Sequence, residues 1–453
     1  MTSLCWEDLP EIARDVVKQA VAAGASDAEC TIAEGDEISA NVRMGELETL
    51  KEAGSRGAGL RVLIGKRMGA SYTSDLTPEG IRQMVQSAVD LAALTTEDPH
   101  AGLPDPEEFG SIDTDLQLFS NETANLPTEE RIEMAKRAEA AALAVDPRIT
   151  NSEGASFDSS VGGRIFANSR GFLGAYRSSY CSVSAVPVAT QNGSMERDYW
   201  YTSARNYKGL EDPESVGRKA AARALRRLGA VKVDTQRVPV IFEPRTARTL
   251  LGNIFEAVDG RAIYRKASFL AGKLGEKIAD ERITLVDDGT IPGLFGSSPF
   301  DDEGVPTRRT PVIERGVLKS YLLNTYTARK LDLKTTGNAS RGITGNAGIG
   351  HGNFFIEAGT RTQEEIIRGV KNGFFVTELI GSGVNIVTGD YSRGAVGIWI
   401  RDGELAFPVS EVTIAATLQE MLNGIAEIGN DLEFLSSVSA PTIMLGEMTV
   451  AGR

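Results

Sequence analysis

Apolar residues at Leu9, Ile12, Val16, Val17, Val21 and Ala22 recur at intervals of three and four, so the spacing predicts a helix over 9–23 closed by Gly24. The period then drops to two. Ile38, Ala40 and Val42 alternate with Glu37, Ser39 and Asn41, and Leu60 to Ile64 forms a short run between Gly59 and Gly65. Short strands are expected across 27–72. Thr77 and Pro78 open a second helix to about Leu94, the threonine as cap and the proline in the first turn. Pro99, Pro104, Pro106 and Pro127 punctuate an acidic connector over 97–127.

Thr128 caps a third expected helix from Glu129 to Val145. A strand meander follows over 152–202, then an arginine-rich helix over 213–228 ending at Gly229. Val238 to Phe242 reads as a strand, and Pro244 starts a helix through Leu250, Leu251, Ile254, Ala257 and Val258. Thr310 to Ile313 and Val317 to Leu323 read as hairpin arms joined by Glu314, Arg315 and Gly316. Further strands are expected at 354–357, 373–377, 397–400, 404–408 and 443–449, with a helix over 412–428. The pattern describes a strand-rich α+β fold. An N-terminal α/β sandwich-like domain occupies 1–100. A middle region of connector, helices and β meander occupies 101–230, and a predominantly β C-terminal domain 231–453.

Composition narrows the function classes. The 453 residues carry a formal net charge of -14, which disfavours wrapping a nucleic-acid backbone. Cys5, Cys30 and Cys181 are too few and scattered for a disulfide framework. The N-terminus shows no basic stretch followed by an apolar one, and no run of 18 apolar residues exists. The expectation is a cytoplasmic protein with no membrane and no nucleic-acid partner.

Candidate chemistry is sparse. His100 and His351 are the two histidines, and no HExxH motif exists, whereas a protein zinc site needs three or four converging donors. His351 lies between Gly350 and Gly352 and reads as a turn residue, while His100 sits in the connector. No nucleophile elbow and no phosphate-binding glycine fingerprint is present. The glycine-rich stretch 337–352 reads either as loop geometry or as a backbone groove for an extended peptide. Asp287 with Asp288, and Asp301 with Asp302, pair carboxylates beside Gly and Pro. Such pairs ligate hard metals, shift one another's pKa, or simply form acidic turns. Asp390, Tyr391, Ser392 and Arg393 stand between glycines as a ligand rim or a well-satisfied turn.

Several stretches together resemble the TldD/PmbA metallopeptidase family. They are 253–260 (NIFEAVDG), 269–278 (FLAGKLGEKI), 286–293 (VDDGTIPG), 301–307 (DDEGVPT), 378–381 (ELIG) and 388–394 (TGDYSRG). In the TldD branch of that family, an HExxxH motif and a cysteine near the C-terminus hold zinc. The resemblance places Phe255 at the first histidine, Glu256 at the glutamate and Gly260 at the second histidine, and 431–440 holds no cysteine. Residues five apart on a regular helix lie about 140° from each other, so such a pair needs a helix end or a distortion to converge.

The departures resemble the TldE/PmbA branch. They imply no cofactor in this chain, zinc in a TldD-type HExxxH partner, and small or unfolded peptides as substrates. Read from the residues themselves, Asp301, Asp302, Asp390, Tyr391, Ser392 and Arg393 are the candidates for a peptide groove or rim. Two other readings stay open: a homodimer with a divergent site on the aspartate pairs, or a binding protein without a peptidase role.

Overall fold

The computed structural model describes residues 5–452. The fold is α+β. Helix α1, Leu9–Ala22, buries Leu9, Ala13, Val16, Val17 and Ala20, the stripe its spacing predicts. It packs with α2, Pro78–Leu94, on a long antiparallel sheet. That sheet contains β1 (Asp27–Arg43), β2 (Glu46–Ile64), β3 (Arg67–Thr73), β4 (Ile149–Asn168), β5 (Leu173–Gln191), β6 (Ser194–Arg197) and β7 (Trp200–Ala204). The order is β3-β2-β1-β4-β5-β6, with β7 also on β5. Residues from 27–73 and 149–204 thus share one sheet. Several of the expected short strands fuse, because glycines such as Gly163 stay extended within β4 and do not break it. The short helix α3 (Asn121–Ala124) follows the connector, and α4 (Thr128–Leu143) and α5 (Pro213–Leu225) cover β4 and β5.

The C-terminal part holds a closed ring of strands. Strand β8, Gln236–Phe242, lies between Asn372–Ile380 and Ile443–Ala451. Glu404–Thr417 and Asp390–Arg401 continue the order, and Asp390–Arg401 pairs back onto Asn372–Ile380. These five strands therefore form a small barrel, which removes free edges. Helix α6, Pro244–Val258, buries Ala247, Leu250, Leu251, Ile254, Ala257 and Val258 in the adjoining core. A second sheet of five short strands carries Leu285–Asp288 at its centre and Val438–Ser439 at one edge.

The expected helix over 412–428 is corrected by the structure. Only Leu418–Asn423 is helical, between the strands Glu404–Thr417 and Ile425–Ile428. Val412 and Ile414 are buried while Glu411 and Thr413 are exposed, a period of two that places them in a strand. Thr417, with Glu420, caps the one short helix that remains. The hairpin is present with Arg315 and Gly316 both at positive φ, but its second arm pairs only at Val317–Leu318.

Buried ion pairs tie the first sheet to the C-terminal part. Glu29 on β1 is fully buried and accepts from Arg61 Nε at 2.6 Å. It also pairs with Arg341, whose Nη2 donates to Thr31 at 3.1 Å. Both arginines are held beside one carboxylate away from water. Glu29→Gln is expected to cost about 3–5 kcal/mol, because removing one partner leaves the other charges buried and uncompensated. Urea unfolding measures this, and a loss below about 1 kcal/mol would show that water or another acid compensates the arginines.

Candidate functional site

Helix α6 presents the positions that the HExxxH resemblance singles out. It ends at Val258, because Asp259 takes an extended backbone (φ -59°, ψ 121°). The Asp259 carboxylate then caps a new short helix, α7, Gly260–Tyr264, by accepting from the Arg261 N–H at 2.7 Å. Phe255 and Gly260 therefore belong to two helices separated by a break. Gly260 begins α7.

Each of the three positions has a distinct environment. Phe255 is half-buried, and its ring meets His351 edge-on with centroids 4.9 Å apart and Phe354 at 5.9 Å. Glu256 is exposed. Gly260 is buried, and its N–H donates to the Leu322 carbonyl at 3.0 Å. A Cβ there would stand 2.6 Å from Leu323 Cδ2 and 2.7 Å from Thr327 Oγ1. Thr327 lies in α8, Thr325–Leu331. No side chain fits at Gly260 unless α7 and α8 move apart.

The segment expected to bear a cysteine lies nearby. Val438 and Ser439 pair in parallel with Phe354 and Phe355, and the strand they form packs against α6. Asp431 accepts from the Thr442 N–H and hydroxyl at 2.8 and 2.7 Å. Helix α6, His351 and 431–440 are thus brought together. His351 Nδ1 sits 2.8 Å from the Gly352 carbonyl, and burial lowers its pKa, favouring the neutral ring. Among the described residues no group of three or more His, Cys, Asp or Glu is placed to hold a metal ion.

The aspartate pairs are built into the frame. Asp301 accepts from the Glu303 and Val305 N–H groups with one oxygen and from Ala339 N–H with the other, all at 2.9–3.0 Å. Asp302 pairs with Arg164 at 2.8 Å and accepts from Arg341 N–H at 2.7 Å. Asp288 accepts from both the N–H and the hydroxyl of Thr290. Asp287 accepts from Asn338 and from Gly352 N–H, each at 2.7 Å. Within the glycine-rich stretch, Ala339–Ser340 pairs with Gly348–Ile349. The loop between them presses on β2 so closely that a Cβ at Gly59 would lie 1.8 Å from the Ile343 carbonyl oxygen.

The stretch at Asp390 behaves differently. Asp390 and Ser392 are exposed and Tyr391 is buried. Arg393 Nη1 reaches Thr249 Oγ1 of α6 at 3.5 Å, so this stretch lies against the helix that bears Glu256. Tyr391 Oη, Arg393 Nε and Asn253 Nδ2 are buried without a hydrogen-bond partner among the described residues, and burial pushes the Tyr391 phenol up to about 12. Arg341, Asn338, Leu323 and Thr327 were not legible as site residues, since each acts through a contact distant in sequence.

The chain belongs to the PmbA/TldA metallopeptidase family. Models of that family's domain 1, central domain and C-terminal domain match residues 28–92, 121–228 and 235–452. It is 40% identical over 450 residues to "Metalloprotease PmbA" of Escherichia coli O157:H7, covering 98% of each chain. The fold matches a Bacteroides thetaiotaomicron protein described as a modulator of DNA gyrase, with TM-score 0.92, 28% identity and full coverage of both chains. It also matches the fold of TldE from Thermococcus kodakarensis, with TM-score 0.88 and 24% identity, over 97% of this chain and 100% of that one. No helix among the described residues is long and apolar enough to cross a membrane.

The packing at Gly260 and the burial of Asp287 make three outcomes testable. Gly260→Ala is expected to cost about 1–3 kcal/mol in urea unfolding, the usual penalty of overpacking. The double variant Phe255→His, Gly260→His is expected to gain no stoichiometric zinc by elemental analysis. The third concerns Asp287, whose carboxyl burial pushes up to about 7, against the two hydrogen bonds that pull it down. Its folded pKa lies above the unfolded value of about 4, so the folded state binds the extra proton. Its contribution to stability therefore falls as pH rises from about 4 to 7. Asp287→Asn should gain stability relative to the native chain across that window, with no further gain above it. A constant difference between the two across pH would contradict the assignment.

Proposed function

We propose that this chain is the metal-free TldE/PmbA-type subunit of a heterodimeric TldD/TldE zinc metallopeptidase that processes or degrades small or unfolded peptides. The observation that carries this reading is Gly260, where Leu323 and Thr327 occupy the space a second histidine would need. Phe255 in place of the first histidine, and the absence of cysteine from 431–440, support it. The full-length similarity to PmbA supports the branch. In this reading zinc and the chemical step belong to the HExxxH partner. Phe255 fills apolar space beside His351, and exposed Glu256 has no metal-bound water to act on. Asp390, Ser392 and Arg393 would border the peptide path along α6, while Asp301 and Asp302 hold the frame.

Purified chain, a TldD-type partner and their mixture should be compared on an unfolded peptide substrate. Cleavage is expected only from the mixture, and Glu256→Gln in this chain should leave that rate within about twofold. Metal-dependent cleavage by the chain alone would establish an independent enzyme. A mixture that forms a complex but never cleaves would favour a binding role without peptidase activity.

A further inference from the structure

A cavity of about 500 Å³ opens between the first sheet and the C-terminal part, beside α7 and α8. Its size lies in the range of small-molecule sites. Arg61 forms part of its wall and is buried, with one end of its guanidinium on Glu29 and Nη2 without a hydrogen-bond partner. An arginine donor left unsatisfied away from water is costly and rare. Lys66 and Arg265 stand at the more exposed side. Lys66 Nζ donates to the Ala101 carbonyl at 2.7 Å, and Arg265 Nε donates to the Tyr264 hydroxyl at 3.0 Å. No carboxylate lies within ion-pair distance of either among the described residues. In a chain of net charge -14, four cations around one cavity are a local exception, and of these Arg261 is already paired with Asp259 at 2.6 Å.

The rest of the wall limits the kind of anion. Glu303 and Asp98 also line the cavity. Glu303 accepts from the Thr325 N–H at 2.9 Å, and Asp98 accepts from the Tyr326 hydroxyl at 2.8 Å. Two acids in the same wall repel a multiply charged anion and attract an ammonium group. Tyr264 and Tyr326, whose rings meet edge-on at 6.2 Å, give the cavity an aromatic side suited to a carbon skeleton.

We infer that this cavity binds a short zwitterionic peptide, its carboxylate directed to Arg61, Lys66 and Arg265 and its ammonium to Asp98 and Glu303 in the same wall. The site lies beyond the break at Asp259 and uses neither Phe255 nor Glu256. It requires no metal, so it stands independently of the reading of this chain as a metal-free subunit.

The test uses the full-length chain alone in metal-free buffer, titrated calorimetrically with trialanine, with its C-terminal amide and with inorganic phosphate. Trialanine is expected to saturate with a Kd of about 1 mM or tighter, and the amide to bind at least about tenfold more weakly, the scale of one charge-assisted hydrogen bond. Arg61 is part of the buried frame, so the variant is Lys66→Met with Arg265→Met at the exposed side. It should fold as the parent does by circular dichroism and lose the preference of acid over amide. Equal binding of acid and amide, no saturation by trialanine up to about 10 mM, or tighter binding of phosphate than of trialanine would each overturn the proposal.

Discussion

The contact of Gly260 with Leu323 and Thr327 sets how α6, α7 and α8 meet. Helix α6 stops at Val258, and the chain pairs briefly with Leu322, whose N–H donates to the Val258 carbonyl at 3.1 Å. Asp259 then caps α7. Each of these steps needs the backbone at Gly260 to come within van der Waals distance of α8, which only a residue without a Cβ allows. The consequence is chemical. In the proposed reading, a position that carries a metal ligand in the TldD branch is used here for packing. Phe255 is packed likewise, its ring resting on His351 and Phe354.

The acidic motifs follow a related logic. In a chain this acidic, carboxylates at Gly-Pro turns suggest surface, yet Asp287, Asp301 and Glu303 are almost fully buried. Backbone N–H groups and arginines from distant segments surround them. Burial of such groups is tolerated only when the remaining lone pairs are met by donors. Asp301 meets three backbone donors, and Asp302 has Arg164 and the Arg341 N–H. Arg341 in turn reaches Glu29 on β1, which joins the glycine-rich hairpin to the first sheet. The close approach at Gly59 belongs to the same seam.

Much of the fold was legible because local periodicity decided it. The stripes of α1 and α6, the Thr77 cap and the Arg315-Gly316 turn carry their own signals within a few residues. Length 412–428 misled because Val412 and Ile414 sit beside Leu418, Met421 and Leu422, so a strand followed by one helical turn imitates a longer helical stripe. The zinc-motif positions were legible only through family resemblance. Their surroundings were not. Nothing near Gly260 in sequence reveals that Leu323 and Thr327 fill its side-chain space, and nothing near Glu29 announces Arg341. Contacts between segments this far apart carry no periodic trace, and neither does a cavity whose wall is drawn from both ends of the chain.

In the proposed reading, the packing of Phe255 and Gly260 leaves this chain without a catalytic metal of its own. Elemental analysis of the purified chain after dialysis against metal-free buffer tests it most directly. The account predicts far less than one zinc per chain. About one firmly held zinc per chain, the stoichiometry of a single site, would contradict it and require donors outside the α6 region.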